Sequence, residues 1–115
     1  MPNTRKKAAV AAAPVAPAKA QRTEARRLID YYEEIAFASH RMLEAAYQGN
    51  WTAFELIGGQ CQELIAGLQQ ASARAVLTDA DRERRMVLMR EILADDARIR
   101  AHAEPRMRGL DRFLV

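Results

Sequence analysis

Any chemistry in this 115-residue chain would have to come from His40, His102, Cys61 and the adjacent carboxylates Asp95 and Asp96. A histidine with Glu three residues before it would supply the Glu-x-x-His ligand pair of carboxylate-bridged metal bundles. The residues at that spacing are Phe37 and Ile99, so the pair is absent. Cys61 shares an apolar stripe with Ile57, Leu64 and Ile65, and no cationic neighbour is evident to lower its pKa, which reads as an inert packing thiol. Successive residues on a helix point about 100° apart, so Asp95 and Asp96 cannot work on one substrate atom. Asp95 reads as solvated. Asp96 reads as a half-buried carboxylate satisfied by Arg, His or Tyr from a facing helix, with a polar contact to a partner peptide as the rival. The glycines of Ile57-Gly58-Gly59-Gln60 lie inside a helix with no lysine after them, unlike a phosphate-cradling loop. The expectation is a non-enzymatic protein with no metal, cofactor or small-molecule substrate.

Nucleic-acid binding is the next class to weigh. Arg82, Arg84, Arg85, Arg90, Arg98 and Arg100 are interleaved with Asp79, Asp81, Glu83, Glu91, Asp95 and Asp96, so the segment is neutral. Specific DNA binding needs a concentrated positive face. The net charge of +3 comes from residues 1–22, which hold Arg5, Lys6, Lys7, Lys19 and Arg22 and no acid; the remainder is −2. A DNA-associated regulator using that tail and the arginine-rich helix stands as an alternative function, and a simple helical dimerisation module as another.

The elements that must carry these residues are helical. Half the residues are apolar but only 6% aromatic, alanine, leucine, glutamate and arginine dominate, and one domain is the size limit. The expected fold is all-α: an antiparallel bundle of three main helices plus a short C-terminal helix. Residues 1–22, rich in Ala and Pro, read as a disordered basic tail. Their alanines and prolines make a poor secretory signal. No apolar run approaches the ~20 residues that span a bilayer, and the lone cysteine suits a reducing compartment, so a cytoplasmic location without membrane insertion is expected.

The first helix is expected from a Thr23 cap to Gln48, with a seam of Leu28, Tyr32, Ile35, Ser39, Met42 and Ala46. Ile29, Ala36 and Leu43 flank one side of it, and Tyr31, Ala38 and Ala45 the other. That stripe is wider than one neighbouring helix can cover. Gly49-Asn50 makes a tight corner, glycine ending one helix and asparagine capping the next at Trp51. The second helix runs to about Ala71 on a seam of Trp51, Phe54, Gly58, Cys61, Ile65 and Leu68, with Gly58 the expected point of close approach. Six residues, 72–77, lead to a third helix capped by Thr78, whose seam reads Arg85, Met89, Ile92, Asp96, Ile99, Ala103. Pro105 is expected to end it, and residues 105–115 to form the small last helix.

Three stretches in order, YYEEIAFASHRMLEAAYQGNW, FELIGGQCQELIAGL and MREILADDARIRAHAEPRMRGL, resemble the FliT family of flagellar type III export chaperones over about residues 28–114. The resemblance implies a helical protein that binds the aggregation-prone C-terminal helix of the filament-cap protein before export. It also implies contacts with the export ATPase complex and, in some bacteria, the flagellar master regulator. The short C-terminal helix would act as a gate through Met107, Leu110, Phe113 and Leu114. The basic Ala/Pro tail departs from shorter family members.

Tyr31, Phe37 and Tyr47 cannot all face one neighbour, and exposed aromatic and methionine-bearing helix faces mark partner sites. The groove expected to take an amphipathic client helix comprises Tyr31, Tyr32, Ile35, Ser39, Met42, Met89, Ile92, Asp96 and Ile99. In the dimerisation alternative, a second copy buries the wide stripe of the first helix.

Overall fold

A computed structural model describes the backbone of residues 18–114 and the side chains of residues 22–103. The described residues form three helices and no strand: α1 (Ala18–Tyr47), α2 (Trp51–Ser72) and α3 (Asp79–Leu114). The all-helical expectation holds, with two shifts at the ends. Helix α1 starts at Ala18, directly after Pro17 and five residues before Thr23, because Ala18, Lys19, Ala20, Gln21 and Arg22 all favour helix. Helix α3 runs through Pro105 to Leu114 as one element, so the separate short C-terminal helix is not present. A proline removes one backbone hydrogen bond, and the helix spans that gap.

The corner between α1 and α2 is built by its three residues. Gly49 takes φ +71°, the left-handed conformation that glycine adopts without a Cβ clash. Its N–H donates to the Ala46 carbonyl at 3.1 Å, while the Asn50 N–H donates to the Ala45 carbonyl at 2.8 Å, the double bond of a Schellman C-cap. The Asn50 side-chain oxygen then accepts the Ala53 N–H at 3.1 Å, satisfying one orphan donor of α2, a cap worth about 1 kcal/mol. At the start of α3, the Asp81 N–H donates to Thr78 Oγ1 at 3.1 Å and the Thr78 N–H to Asp81 Oδ2 at 3.2 Å. This reciprocal box confirms Thr78 as the cap.

Helix α1 is the centre of the molecule. Among the described residues it supplies eight of the twelve buried apolar residues, and five of those eight are alanines. Small side chains let both other helices come close to it. Helix α2 packs antiparallel on one flank, with Gly67 against Tyr31 and Gly58 against Met42. Helix α3 runs parallel to α1 on the other flank, with Arg84 bonded to Glu33, Asp95 to Ser39, and His102 against Tyr47. The two flanks of the sequence stripe, Tyr31-Ala38-Ala45 and Ile29-Ala36-Leu43, thus serve two different neighbours. Helices α2 and α3 each pack along α1 and meet at the corner, where Trp51 of α2 stacks on His102 of α3, so α1 lies between them.

Gly67, not Gly58, is the glycine that packing requires. A Cβ on Gly67 would lie 2.6 Å from the Tyr31 ring, whereas one on Gly58 would meet Met42 at an ordinary 3.5 Å. Tyr31 lies across the backbone of α2 in the space a side chain would fill.

Candidate partner-binding groove

Helix α2 is the most apolar of the three helices, yet only Ile57 and Ala71 are fully buried along it. Trp51, Phe54, Cys61, Leu64 and Leu68 are half-buried, and Leu56 and Ile65 are exposed. The reason lies in its stripe of Trp51, Gly58 and Ile65, one heptad apart. At the corner, Trp51 stacks on His102 of α3 at 6.4 Å, and Tyr47 meets the same imidazole edge-on at 5.1 Å. One heptad on, a Cβ on Gly58 would lie 3.5 Å from the end of Met42 of α1, so the two residues face each other. A further heptad on, Ile65 is open to solvent. The flanking helices meet through side chains at the corner, and the apolar residues left partly uncovered between them form a candidate binding wedge. Its floor is α1, with Tyr32 and Met42 half-buried; its walls are Ile65 and Leu68 on α2 and Met89 and Ile92 on α3.

The expected groove residues divide between this wedge and the core. Tyr32, Met42, Met89 and Ile92 line the opening, while Tyr31 is half-buried against Gly67. Ile35 at 3%, Ser39 at 6% and Ile99 at 8% exposure are buried by the chain's own packing, so a ligand in this conformation does not reach them. The seam of α3 differs from the expected one in two places. The residues facing α1 are Leu88, Ile92, Asp95 and Ile99; Met89 and Asp96 sit one position further round, toward solvent.

That shift exchanges the roles of the two aspartates. Asp95, expected in solvent, is 5% exposed and is the buried carboxylate between α1 and α3. Its Oδ2 lies 2.9 Å from the Ser39 hydroxyl, which sits equally near the Ala36 carbonyl, and 3.7 Å from His40 Nδ1. Its Oδ1 lies 3.7 Å from Arg98. Asp96 is half-exposed and pairs within its own helix with Arg100 at 3.0 Å. The Arg or His partner expected of a buried carboxylate is present, but it serves the neighbouring residue. Sequence reading also missed His102, which joins the corner to α3, and no spacing signal points to it. Trp51, the first residue of the seam expected for the second helix, is half-buried.

Other features bear on what the surface can do. Of the six arginines between residues 82 and 100, four pair with a carboxylate, Arg82 with Asp79, Arg84 with Glu33, Arg98 with Asp95 and Arg100 with Asp96. Among the described residues these pairs leave no concentrated positive face on α3 for a phosphate backbone. Arg85 Nε is buried without an acceptor among the described residues, a donor held beside the wedge. Phe37 is 67% exposed on the side of α1 away from the wedge, with Arg41 stacked 5.9 Å over its ring. Burial raises the pKa of the half-buried Cys61 thiol, consistent with a packing role. Among the described residues no helix is long and apolar enough to cross a membrane, and no group of three His, Cys, Asp or Glu side chains is placed to hold a metal ion. Met107, Leu110, Phe113 and Leu114, the residues expected to form a gate, lie on the α3 backbone, with their side chains outside those described.

No curated protein and no solved structure matches the chain. The family model described as flagellar protein FliT matches residues 29–114, which take in α1 from Ile29 onward, the Gly49 corner, α2 and α3 to its end. The chain therefore belongs to the FliT family of flagellar export chaperones.

Proposed function

We propose that the protein is a cytoplasmic, non-enzymatic export chaperone that holds the C-terminal amphipathic helix of the filament-cap protein in the wedge between α2 and α3. The observation that carries this reading is α2 itself, an apolar helix with only two residues fully buried. A monomeric domain gains nothing from leaving Ile65 and its half-buried neighbours wet; a client helix covers them. Burying a client's apolar face there contributes roughly 25 cal/mol per Å² before ordering costs. Arg85 Nε would find its acceptor on the client. Family membership supports a flagellar client, and the export ATPase complex and master regulator are further partners on the same ground.

The last residues of α3 are the gate in this reading. Pro105 is the weakest point of the helix, since it lacks an N–H donor. A break there would let Met107, Leu110, Phe113 and Leu114 fold back over the wedge. Isothermal calorimetry with the filament-cap C-terminal segment tests both parts. Ile65→Glu is expected to weaken binding at least tenfold with the helical fold intact, and removal of residues 105–115 to strengthen it. Binding unaffected by Ile65→Glu overturns the wedge; unchanged or weaker binding by the truncation overturns the gate.

A further inference from the structure

Helix α1 has a face that neither neighbour covers. Phe37 stands on it, 67% exposed, with Arg41 stacked over its ring. On the α2 side of that ring runs a shallow groove floored by Ala38 and Leu64 and edged by Gln60, Arg41 and the three acids Asp30, Glu33 and Glu34. Ala38 is buried and Leu64 half-buried. Glu33 is bonded to Arg84 of α3. Asp30 and Glu34 are exposed, and among the described residues no cation pairs with either. The groove is therefore apolar along its floor, with three acids against one base on its rim. It lies on the side of α1 away from the wedge, so a client held there leaves it open.

We propose that this groove is the docking site of the chain's own N-terminal segment, which sets Arg5, Lys6 and Lys7 against Asp30, Glu33 and Glu34 and covers Phe37. Residues 1–17 carry those three bases and no acid, the complement of the rim. Their length fits. Helix α1 begins at Ala18, so Asp30 and Glu34 lie about 18–24 Å along it. The chain from Lys7 to Ala18 reaches about 36 Å when extended, and the surplus accommodates a reversal at Pro14 and Pro17, residues suited to turns. Charge sets the register. The stretch between Lys7 and Ala18, AAVAAAPVAP, is uncharged, and it passes the part of α1 where Arg22, Arg26 and Arg27 outnumber Glu24. A tighter reversal would lay the basic triplet on those arginines. Each extended residue covers the length of about two helical ones. With Lys7 beside Asp30, Arg5 thus comes level with Glu34, and Asn3 with Ala38 and Gln60. Exposed ion pairs are individually weak. A short tether raises the effective concentration to about the millimolar range, so even a contact of millimolar strength is populated. The contact does not rest on the client reading, and any partner that uses Phe37 must displace it.

Disulfide trapping on the full chain tests the proposal. In a Cys61→Ser background, Asn3→Cys is paired with Gln60→Cys in the groove or with Gln62→Cys, about 200° round α2 from it. The Gln60→Cys pair should oxidise at least tenfold faster than the Gln62→Cys pair at low salt. That preference should vanish in 1 M salt, where charges are screened beyond about 3 Å. Asp30→Lys with Glu34→Lys should abolish it, and adding Arg5→Glu, Lys6→Glu and Lys7→Glu should bring it back to within about threefold. Circular dichroism melts confirm that each variant folds. Equal rates for the two pairs, or a preference that survives the charge reversal, overturn the proposal. Disulfides that join two chains at low micromolar concentration also overturn it, because they place another copy's segment in the groove.

Discussion

Gly67→Ala should destabilise the protein, although alanine is the better helix former by about 1 kcal/mol at an interior position. The new Cβ would lie 2.6 Å from Cε1 and Cζ of Tyr31 and 2.7 Å from its hydroxyl. Carbon atoms pack best at roughly 3.5–4.0 Å, so the ring must retreat by about 1 Å. Tyr31 is half-buried between α1 and α2, and overpacking at such a contact costs about 1–3 kcal/mol. The helix gain offsets part of that, leaving a net loss of about 0–2 kcal/mol. The contrast sharpens the test, because a Cβ on Gly59 meets nothing within 4 Å. Gly59→Ala should therefore stabilise by the full helix term, about 1 kcal/mol. Urea unfolding followed by far-ultraviolet circular dichroism measures all of these, and a double-mutant cycle isolates the contact. In a Tyr31→Ala background the obstruction is gone, so Gly67→Ala should become stabilising, like Gly59→Ala. If Gly67→Ala has the same effect with and without the Tyr31 ring, the close approach does not govern this helix pair and the reasoning fails.

Two further outcomes follow from the groove geometry. Asp95→Ala should cost about 1–3 kcal/mol in the same unfolding assay, because it removes the buried carboxylate that joins Ser39 of α1 to α3 and pairs with Arg98, whereas Asp96→Ala should fall within about 0.5 kcal/mol; equal costs would show that the two carboxylates are not distinguished as described. Cys61, with its pKa raised by burial, should alkylate more slowly in the folded chain than in urea, and its rate should rise at higher pH than that of the unfolded thiol. By linkage, the preference of the fold for the protonated thiol is fully present below the unfolded thiol's pKa and is lost as pH rises through the higher folded value. A folded-state rate profile at or below the unfolded one would refute this.

The local elements were legible because their signals are local. Gly49, Asn50 and Thr78 act within three or four residues of themselves, and each caps its helix as the sequence implies. The breadth of the α1 stripe implied more than one helical neighbour, and both α2 and α3 pack on it. The choice of glycine was not legible. Whether Gly58 or Gly67 meets a ring depends on the axial register of α2 against α1, and heptad spacing leaves that free.

Helix α3 was misread for a deeper reason. Leu88, Ile92, Asp95 and Ile99 form one three-and-four repeat, while Met86, Met89 and Leu93 lie on another. A line drawn through Met89, Ile92, Asp96 and Ile99 borrows from both. Periodicity fixes that a helix has an apolar side, but two overlapping seams on one helix leave the facing side undetermined until a neighbour is placed. Ser39 marks the outcome here. Its buried hydroxyl sits beside both the Ala36 carbonyl of its own helix and Asp95, so Asp95 lies on the face that α3 turns to α1, with Leu88, Ile92 and Ile99 packed along the same face. That orientation leaves Met86, Met89 and Leu93 outside, which is why a line through Met89 and Asp96 reads the wrong side of the helix.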